Sequence, residues 1–175
     1  VTGGAGTSDK FQIVGDGTGD DITATLAANL TAFETWEITD NRDYSLTTSE
    51  NNIADGKTLN IDATKITTSA LTFDGRAEND GKFVITTAGA GAHSVQLGNS
   101  DDTYTSTSTG ADAITAVAGN NTITTGDGDD VITGGTGADN IKGQAGADTF
   151  KFATGNFTSS DTIDGGSGTD TIELI

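Results

Sequence analysis

The residues best suited to chemistry are acidic side chains that recur at a fixed spacing between Thr107 and Lys151. Read in steps of nine, this stretch gives TSTGADAIT, AVAGNNTIT, TGDGDDVIT, GGTGADNIK and GQAGADTFK. The fourth position is always Gly, the eighth is apolar, and the sixth is Asp112, Asn121, Asp130, Asp139 or Asp148. Carboxylate and amide oxygens held in Gly-rich turns are ligands suited to a hard cation.

The spacing predicts how these side chains meet. The first six residues of each nonapeptide are typical of a turn and the last three of a strand, so two nonapeptides make one coil. Turns on the same side then recur every second nonapeptide, about 4.8 Å apart. Stacked carboxylates at that distance repel one another unless a cation lies between them. This arrangement predicts the pairs Asp112 with Asp130, Asn121 with Asp139, and Asp130 with Asp148.

Calcium is the cation that fits this arrangement best. It takes about six to eight oxygens, whereas zinc and copper prefer nitrogen or sulfur and magnesium demands a tighter octahedron. Asp102 is predicted to pair with Asn121, and Asp170 lies in a perfect copy near the end of the chain. Asp127 is either a further ligand or surface charge. The turn residues predicted to contribute backbone oxygens are Gly126, Gly128, Gly135, Gly137 and Gly146. Because calcium offsets the repulsion, we expect it to be coupled to folding.

The elements that must position these turns are short strands. Apolar pairs with period two predict strands around Trp36, Tyr44, Leu59, Leu71 and Phe83, and Trp36 reads as a core residue. Two segments, 26–33 and 49–54, are predicted as single helical turns. The predicted core ladder is Val95, Tyr104, Ile114, Ile123, Ile132, Ile141 and Phe150.

The organisation predicted is an all-β, right-handed parallel β-solenoid. Residues 1–23 form a partial repeat that continues a preceding module, and 24–87 form an irregular solenoid segment. Residues 88–152 form the regular calcium-binding coils, and 153–175 begin the next module. The opening GGAGTSDKFQIVGDGTGDDIT is similar to GQAGADTFKFATGNFTSSDTID further along, which indicates a tandem array.

The nonapeptides resemble the RTX, or hemolysin-type, calcium-binding β-roll family. Gly134 to Lys142 and Gly165 to Glu173 match its pattern at every position, whereas Thr125 and Gln144 depart from the Gly pair. The resemblance implies Ca²⁺ as cofactor, type I secretion and an extracellular or bacterial cell-surface location. Members of the family include toxins, proteases, lipases, adhesins and surface-layer proteins, so the motif alone does not choose among these roles.

Composition excludes several other classes of function. The net charge of −18 disfavours nucleic acid and anionic membranes as partners, and no apolar run is long enough for membrane insertion. The chain has no Cys and a single His, His93, which lies in a weak repeat copy, so thiol and Ser-His-Asp catalysis are not indicated. The sequence is therefore predicted not to be an enzyme.

Three hypotheses for function remain open. The first is a structural module of an extracellular surface protein (adhesin, surface layer or filament) whose partners are copies of itself or adjacent modules. The second is the calcium-dependent folding and secretion region of an exported enzyme or toxin. The third is a domain that binds ice or a cell-surface glycan, for which Thr115, Thr124 and Thr133 are predicted to form a row on one side.

Overall fold

The computed structural model describes residues 9–15, 22–25 and 31–175, and every regular element among them is a β-strand. These residues therefore include no helix that could cross a membrane. The strands form two eight-stranded parallel sheets, and successive strands along the chain belong alternately to one sheet and the other. The first sheet, here the odd sheet, contains β1 (Lys10–Ile13), β3 (Thr35–Ile38), β5 (Thr58–Ala63), β7 (Lys82–Gly89), β9 (Thr103–Ser108), β11 (Thr122–Thr124), β13 (Asn140–Lys142) and β15 (Thr162–Asp164). The second, the even sheet, contains β2 (Ile22–Thr25), β4 (Tyr44–Thr47), β6 (Leu71–Asp74), β8 (Ser94–Gln96), β10 (Ala113–Thr115), β12 (Val131–Gly134), β14 (Thr149–Phe152) and β16 (Thr171–Leu174). This is a parallel β-solenoid, as the sequence predicted.

The core lies between the two sheets and is made by alternate residues of each strand. Trp36 is fully buried, as are the apolar pairs that predicted the strands of the middle segment. The rings of Phe73 and Phe83 meet across the core, edge to face, with centroids 5.1 Å apart. Both sheets run without interruption from the irregular segment into the repeats, because β6 pairs with β8 and β7 pairs with β9.

The repeats stack with a period of 18 residues. Ile114 lies beside Ile132 in the even sheet, and Ile123 lies beside Ile141 in the odd sheet. The predicted core ladder is therefore two ladders that face each other. One consists of Val95, Ile114, Ile132 and Phe150, and the other of Tyr104, Ile123 and Ile141, all of them buried.

The same period corrects the predicted threonine row. Thr115 and Thr133 are neighbours in the even sheet, but Thr124 lies in the odd sheet beside Thr105 and Lys142. Residues one nonapeptide apart lie in different sheets, so the three side chains do not form one row. The surface proposed for ice binding is therefore not formed as predicted.

The predicted helical turns were also wrong where the structure describes them. Residues 49–54 form a turn in which the backbone N–H of Asn52 donates to the Ser49 carbonyl at 3.0 Å, and no helix follows. The Asn52 carboxamide oxygen also accepts the Ser49 N–H at 2.7 Å. The Gly56 N–H then donates to the Asp80 carbonyl of the neighbouring coil at 3.2 Å, so the turn does not continue as a helix. Residues 26–30 of the first predicted helical turn lie outside the described residues, as do 3–8 of GGAGTSDKF, the degraded nonapeptide copy that the sequence indicates at Gly3 to Phe11.

Candidate calcium-binding site

The turns of the solenoid form two columns, one on each side. Turns that lead into the even strands stack in what we name the first column. Turns that lead into the odd strands stack in the second column. Sixth-position residues of the first column are Asp112, Asp130, Asp148 and Asp170, and those of the second are Asp102, Asn121, Asp139 and Asp161. Each predicted pair of stacked ligand residues is therefore brought together by the fold.

One oxygen of each sixth-position side chain holds the neighbouring coil. In the first column, Asp130 Oδ1 accepts the backbone N–H of Asp112 at 2.7 Å, and Asp148 Oδ1 accepts that of Asp130 at 2.9 Å. Asp170 Oδ1 accepts the N–H of Asp148 at 3.1 Å. The second column repeats the pattern, with Asp139 Oδ1 accepting the N–H of Asn121 at 3.0 Å. Both Asp and Asn provide the acceptor oxygen that this contact uses.

The second carboxylate oxygen, Oδ2, does not hold the neighbouring coil and could bind a cation or a proton. Asp130, Asp139 and Asp148 are buried, and within the described part of the chain their Oδ2 atoms have no hydrogen-bond partner. Burial raises the pKa of all three carboxyl groups above the ordinary value, and for Asp130 to about 6. A buried charged oxygen without a partner is costly, so each of these positions calls for a cation or a proton.

The turn around Asp148 has room for oxygen ligands because Gly143 lacks a side chain. A Cβ at Gly143 would lie 2.1 Å from Asp148 Oδ2 and 2.7 Å from the carbonyl oxygen of Gly165. A carboxylate oxygen and a carbonyl oxygen from adjacent coils thus converge at this point. Buried, anionic and composed only of oxygen, this donor set fits calcium and not a soft metal.

The other two turns with unpartnered oxygens are narrower. Thr125 replaces the first glycine in the Asp130 turn, and its hydroxyl donates to the Gly143 carbonyl at 3.0 Å. In the Asp139 turn, the space that a Cβ on Gly134 would fill is taken by the Phe152 ring. The fit to calcium is therefore best at Asp148.

Three predicted ligand residues already have protein partners. Asp112 Oδ2 accepts hydroxyl hydrogens from Tyr104 at 2.9 Å and Ser108 at 3.0 Å. Asp112 Oδ1 accepts the backbone N–H of His93 at 2.8 Å. Both oxygens of this buried carboxylate are thus satisfied without a cation, and its ligand role stays a prediction.

In the second column, two sixth-position side chains have their hydrogen-bonding groups satisfied within the protein in other ways. Asp102 accepts backbone N–H groups from Phe83 at 2.8 Å and Gly98 at 2.9 Å. Asn121 turns its amide inward and donates to the carbonyl oxygens of Ala118 at 3.1 Å and Gly119 at 3.2 Å. The Asn121 amide thus binds turn carbonyls of the kind that would otherwise face a cation.

The predicted glycines mark places where coils approach closely. At the fourth position, Gly128, Gly137 and Gly146 have φ of 135°, 123° and 143°, a region that favours glycine. A Cβ on Gly126 or Gly135 would lie 2.1 Å from the Ser108 carbonyl oxygen or 2.3 Å from that of Val117. Backbone oxygens of one coil therefore lie directly against the next, and their role as calcium ligands stays a prediction.

The remaining predicted residues lie nearer the solvent. Asp127 and Asp170 are exposed, and Asp127 pairs through its backbone with Ala145. Asp161 was missed by the sequence interpretation, although its Oδ1 accepts the N–H of Asp139 at 2.9 Å. Its signal was the triplet Asp161-Thr162-Ile163, which lies nine residues before the Asp170-Thr171-Ile172 of the last nonapeptide.

Comparison with known proteins gives one match. The model of the RTX calcium-binding nonapeptide repeat matches residues 106–141, 124–156 and 158–173. These ranges cover less than half of the chain and include the Asp130, Asp139 and Asp148 turns. Searches of curated proteins and of solved structures gave no match.

The chain therefore contains RTX calcium-binding repeats built into a β-solenoid, and Ca²⁺ is the cofactor that these repeats imply. The repeats and the fold are those of a calcium-binding structural module. RTX repeats are typical of secreted bacterial proteins.

Proposed function

We propose that this chain is a calcium-dependent structural module of an extracellular bacterial surface protein, such as an adhesin, a surface layer or a filament. The observation that carries the proposal is the unpartnered buried oxygen of Asp148, which faces the carbonyl of the next coil. Calcium at such a position ties one coil to the next, so its contribution is mechanical and structural. The millimolar calcium outside cells suits this use.

The geometry also supports stacking on another module. β15 and β16 are the outermost strands of their sheets in the described chain, so their outer edges carry unpaired backbone groups. Ile172 and Leu174 of β16 are 46% and 66% exposed. Unpaired edges with apolar side chains favour addition of further strands. The partner proposed is an adjacent module of the same protein or another copy.

The test compares the single chain with a tandem protein in which two copies are joined end to end, each in calcium and in chelator. If the module stacks, the tandem protein in calcium is a single rod about twice as long by electron microscopy and unfolds in one cooperative transition. In chelator, the rod shortens or disappears. Two independently oriented rods that unfold as the single copy does, with calcium bound, would contradict the stacking role.

A further inference from the structure

A second group of acids lies outside the nonapeptides, in the irregular part of the solenoid. Glu50 belongs to the turn between β4 and β5, and Glu78 and Asp80 to the turn between β6 and β7. Carboxylate oxygens of the three residues all lie within 4.8 Å of one another. Both turns lead into odd strands, so the group lies on the side of the second column, across two adjacent coils.

Glu78 is the member of this group that requires an explanation. It is 0% exposed, and its Oε1 accepts the backbone N–H of Gly81 at 3.1 Å. Its Oε2 is buried and has no hydrogen-bond partner within the described residues. Burial raises the pKa of this carboxyl group, and the nearby charge of Glu50 acts in the same direction. A buried carboxylate that lies beside two other acids and has one oxygen without a donor is unfavourable unless positive charge joins it.

The backbone around these acids is fixed by hydrogen bonds. The Gly56 N–H donates to the Asp80 carbonyl at 3.2 Å, which joins the two turns. The Asn99 N–H donates to the Glu78 carbonyl at 3.1 Å, which fixes the second turn on the coil below. The Asn79 carboxamide donates to the Glu50 carboxylate. The three acids are thus held together by contacts that bring no positive charge to them.

We propose that Glu50, Glu78 and Asp80 form a divalent cation site, selective for calcium, that lies outside the repeats. Oxygens bound to one calcium at about 2.3–2.6 Å lie at most about 5 Å apart, which the separation of these carboxylates satisfies. The Glu78 oxygen is the buried ligand, and Glu50 and Asp80 close the site from the solvent side. The site joins two coils that no nonapeptide joins.

The first measurement needs no variant. Crystals of the full chain grown in calcium and soaked in terbium should show an anomalous peak between the three carboxylates. A peak at the Asp148 turn in the same crystal serves as the positive control. A peak at Asp148 without one at Glu78 would overturn the proposal and leave the repeats as calcium sites.

The second measurement uses a matched pair of variants. Glu78→Gln keeps the shape of the side chain and removes the buried ligand charge. Asp55→Asn removes an acid that lines the neighbouring surface depression with Glu50 and Asp80 but is outside the group. In equilibrium dialysis, Glu78→Gln should bind one calcium fewer per chain than wild type, and Asp55→Asn the same number as wild type. Equal binding by wild type and Glu78→Gln would refute the site.

Hydrogen exchange locates the effect. In wild type, calcium should slow amide exchange in residues 75–82 at least tenfold. In Glu78→Gln this slowing should be lost, while calcium still slows exchange in residues 143–150. An exchange rate in residues 75–82 that does not respond to calcium in wild type would show that Glu78 carries only a proton, against the proposal.

Discussion

The most direct test of how calcium acts is a pair of isosteric changes at stacked positions, Asp148→Asn and Asp112→Asn. Both residues occupy the sixth position of first-column turns, and both are buried. Asp148 Oδ2 has no partner among the described residues, whereas Asp112 Oδ2 accepts two hydroxyl hydrogens. The same substitution therefore removes an unsatisfied oxygen in one case and a satisfied oxygen in the other.

Opposite effects are expected in chelator. An unsatisfied buried polar group costs about 1–3 kcal/mol, so Asp148→Asn should raise the free energy of unfolding by up to that amount. Asn121 shows that an amide in such a turn can donate to its carbonyls, at 3.1 and 3.2 Å. In Asp112→Asn, where an amide N–H replaces Oδ2, the hydroxyls of Tyr104 and Ser108 lose the charged oxygen that accepts both of their hydrogens. The free energy of unfolding should then fall by about 1–3 kcal/mol.

The two variants should also differ in how much calcium raises their free energy of unfolding. A site filled at about a hundred times its Kd adds about 2.7 kcal/mol to the free energy of unfolding. Asp148→Asn should lose this increment, while Asp112→Asn should keep it although it is less stable overall. Urea unfolding followed by circular dichroism, in calcium and in chelator, measures both quantities. If Asp112→Asn loses as much of the calcium increment as Asp148→Asn, the inference from hydrogen-bond partners is refuted.

Four further predictions concern the same coils. Burial raises the pKa of Asp130 to about 6 from an ordinary 3.8, so the folded calcium-free chain retains a proton that the unfolded chain has lost. This group alone should therefore lower the stability by up to about 2–3 kcal/mol as pH rises from about 4 to about 6, and Asp130→Asn should make that fall less steep, since other buried acids also contribute; a wild-type stability that rises over this range would contradict it. Gly143→Ala places a Cβ 2.1 Å from Asp148 Oδ2 and 2.7 Å from the Gly165 carbonyl oxygen, so calorimetry should show weaker calcium binding, by tenfold or more, and stability in chelator should also fall because the next coil must shift. Chelator should open residues 125–175 to hydrogen exchange and reduce the β-sheet dichroism, while the single, fully buried Trp36 keeps its blue-shifted fluorescence; an unchanged β spectrum in excess chelator would refute the coupling of calcium to folding. Gln144 has a φ of 75° where Gly166 of the next repeat has 91°, so Gln144→Gly should raise the free energy of unfolding by about 1 kcal/mol, and no gain would show that the turn carries little strain.

The regular part of this fold was predictable because the same residue types recur at the same positions of each nonapeptide. Gly, Asp and an apolar residue recur at the fourth, sixth and eighth positions, and the 18-residue coil follows from two such units. The coils of the middle segment are longer: Trp36 pairs with Ile61, and Tyr44 pairs with Leu71. The apolar pairs still indicated the strands there. The turns between them follow local hydrogen bonds such as that from Ser49 to Asn52, which periodicity does not reveal.

The candidate site was predictable as a set of stacked positions but not as a set of oxygens that need calcium. Whether Asp112 is satisfied depends on the Tyr104 hydroxyl, which reaches it from the core. The nonapeptide pattern does not predict this hydrogen bond. Asp161 had a signal in its own triplet, whereas Glu78 had none, because its burial and its proximity to Glu50 arise from two loops of irregular length.

The difference between Asp112 and Asp148 suggests how a solenoid can pass from coils that do not depend on calcium to coils that do. At the Asp112 level the core still supplies polar groups, since the hydroxyls of Tyr104 and Ser108 reach into the turn. One and two coils later the core positions stacked on Tyr104 are Ile123 and Ile141, which have no donor to offer. The carboxylates of Asp130 and Asp148 then lack partners for their Oδ2 atoms among the described residues. The demand for calcium therefore follows from which side chains carry hydroxyls at the turn, and removal of both hydroxyls in the double variant Tyr104→Phe, Ser108→Ala should create a new demand at Asp112. If urea unfolding shows that this double variant leaves the calcium dependence of stability unchanged, that origin of the demand is wrong.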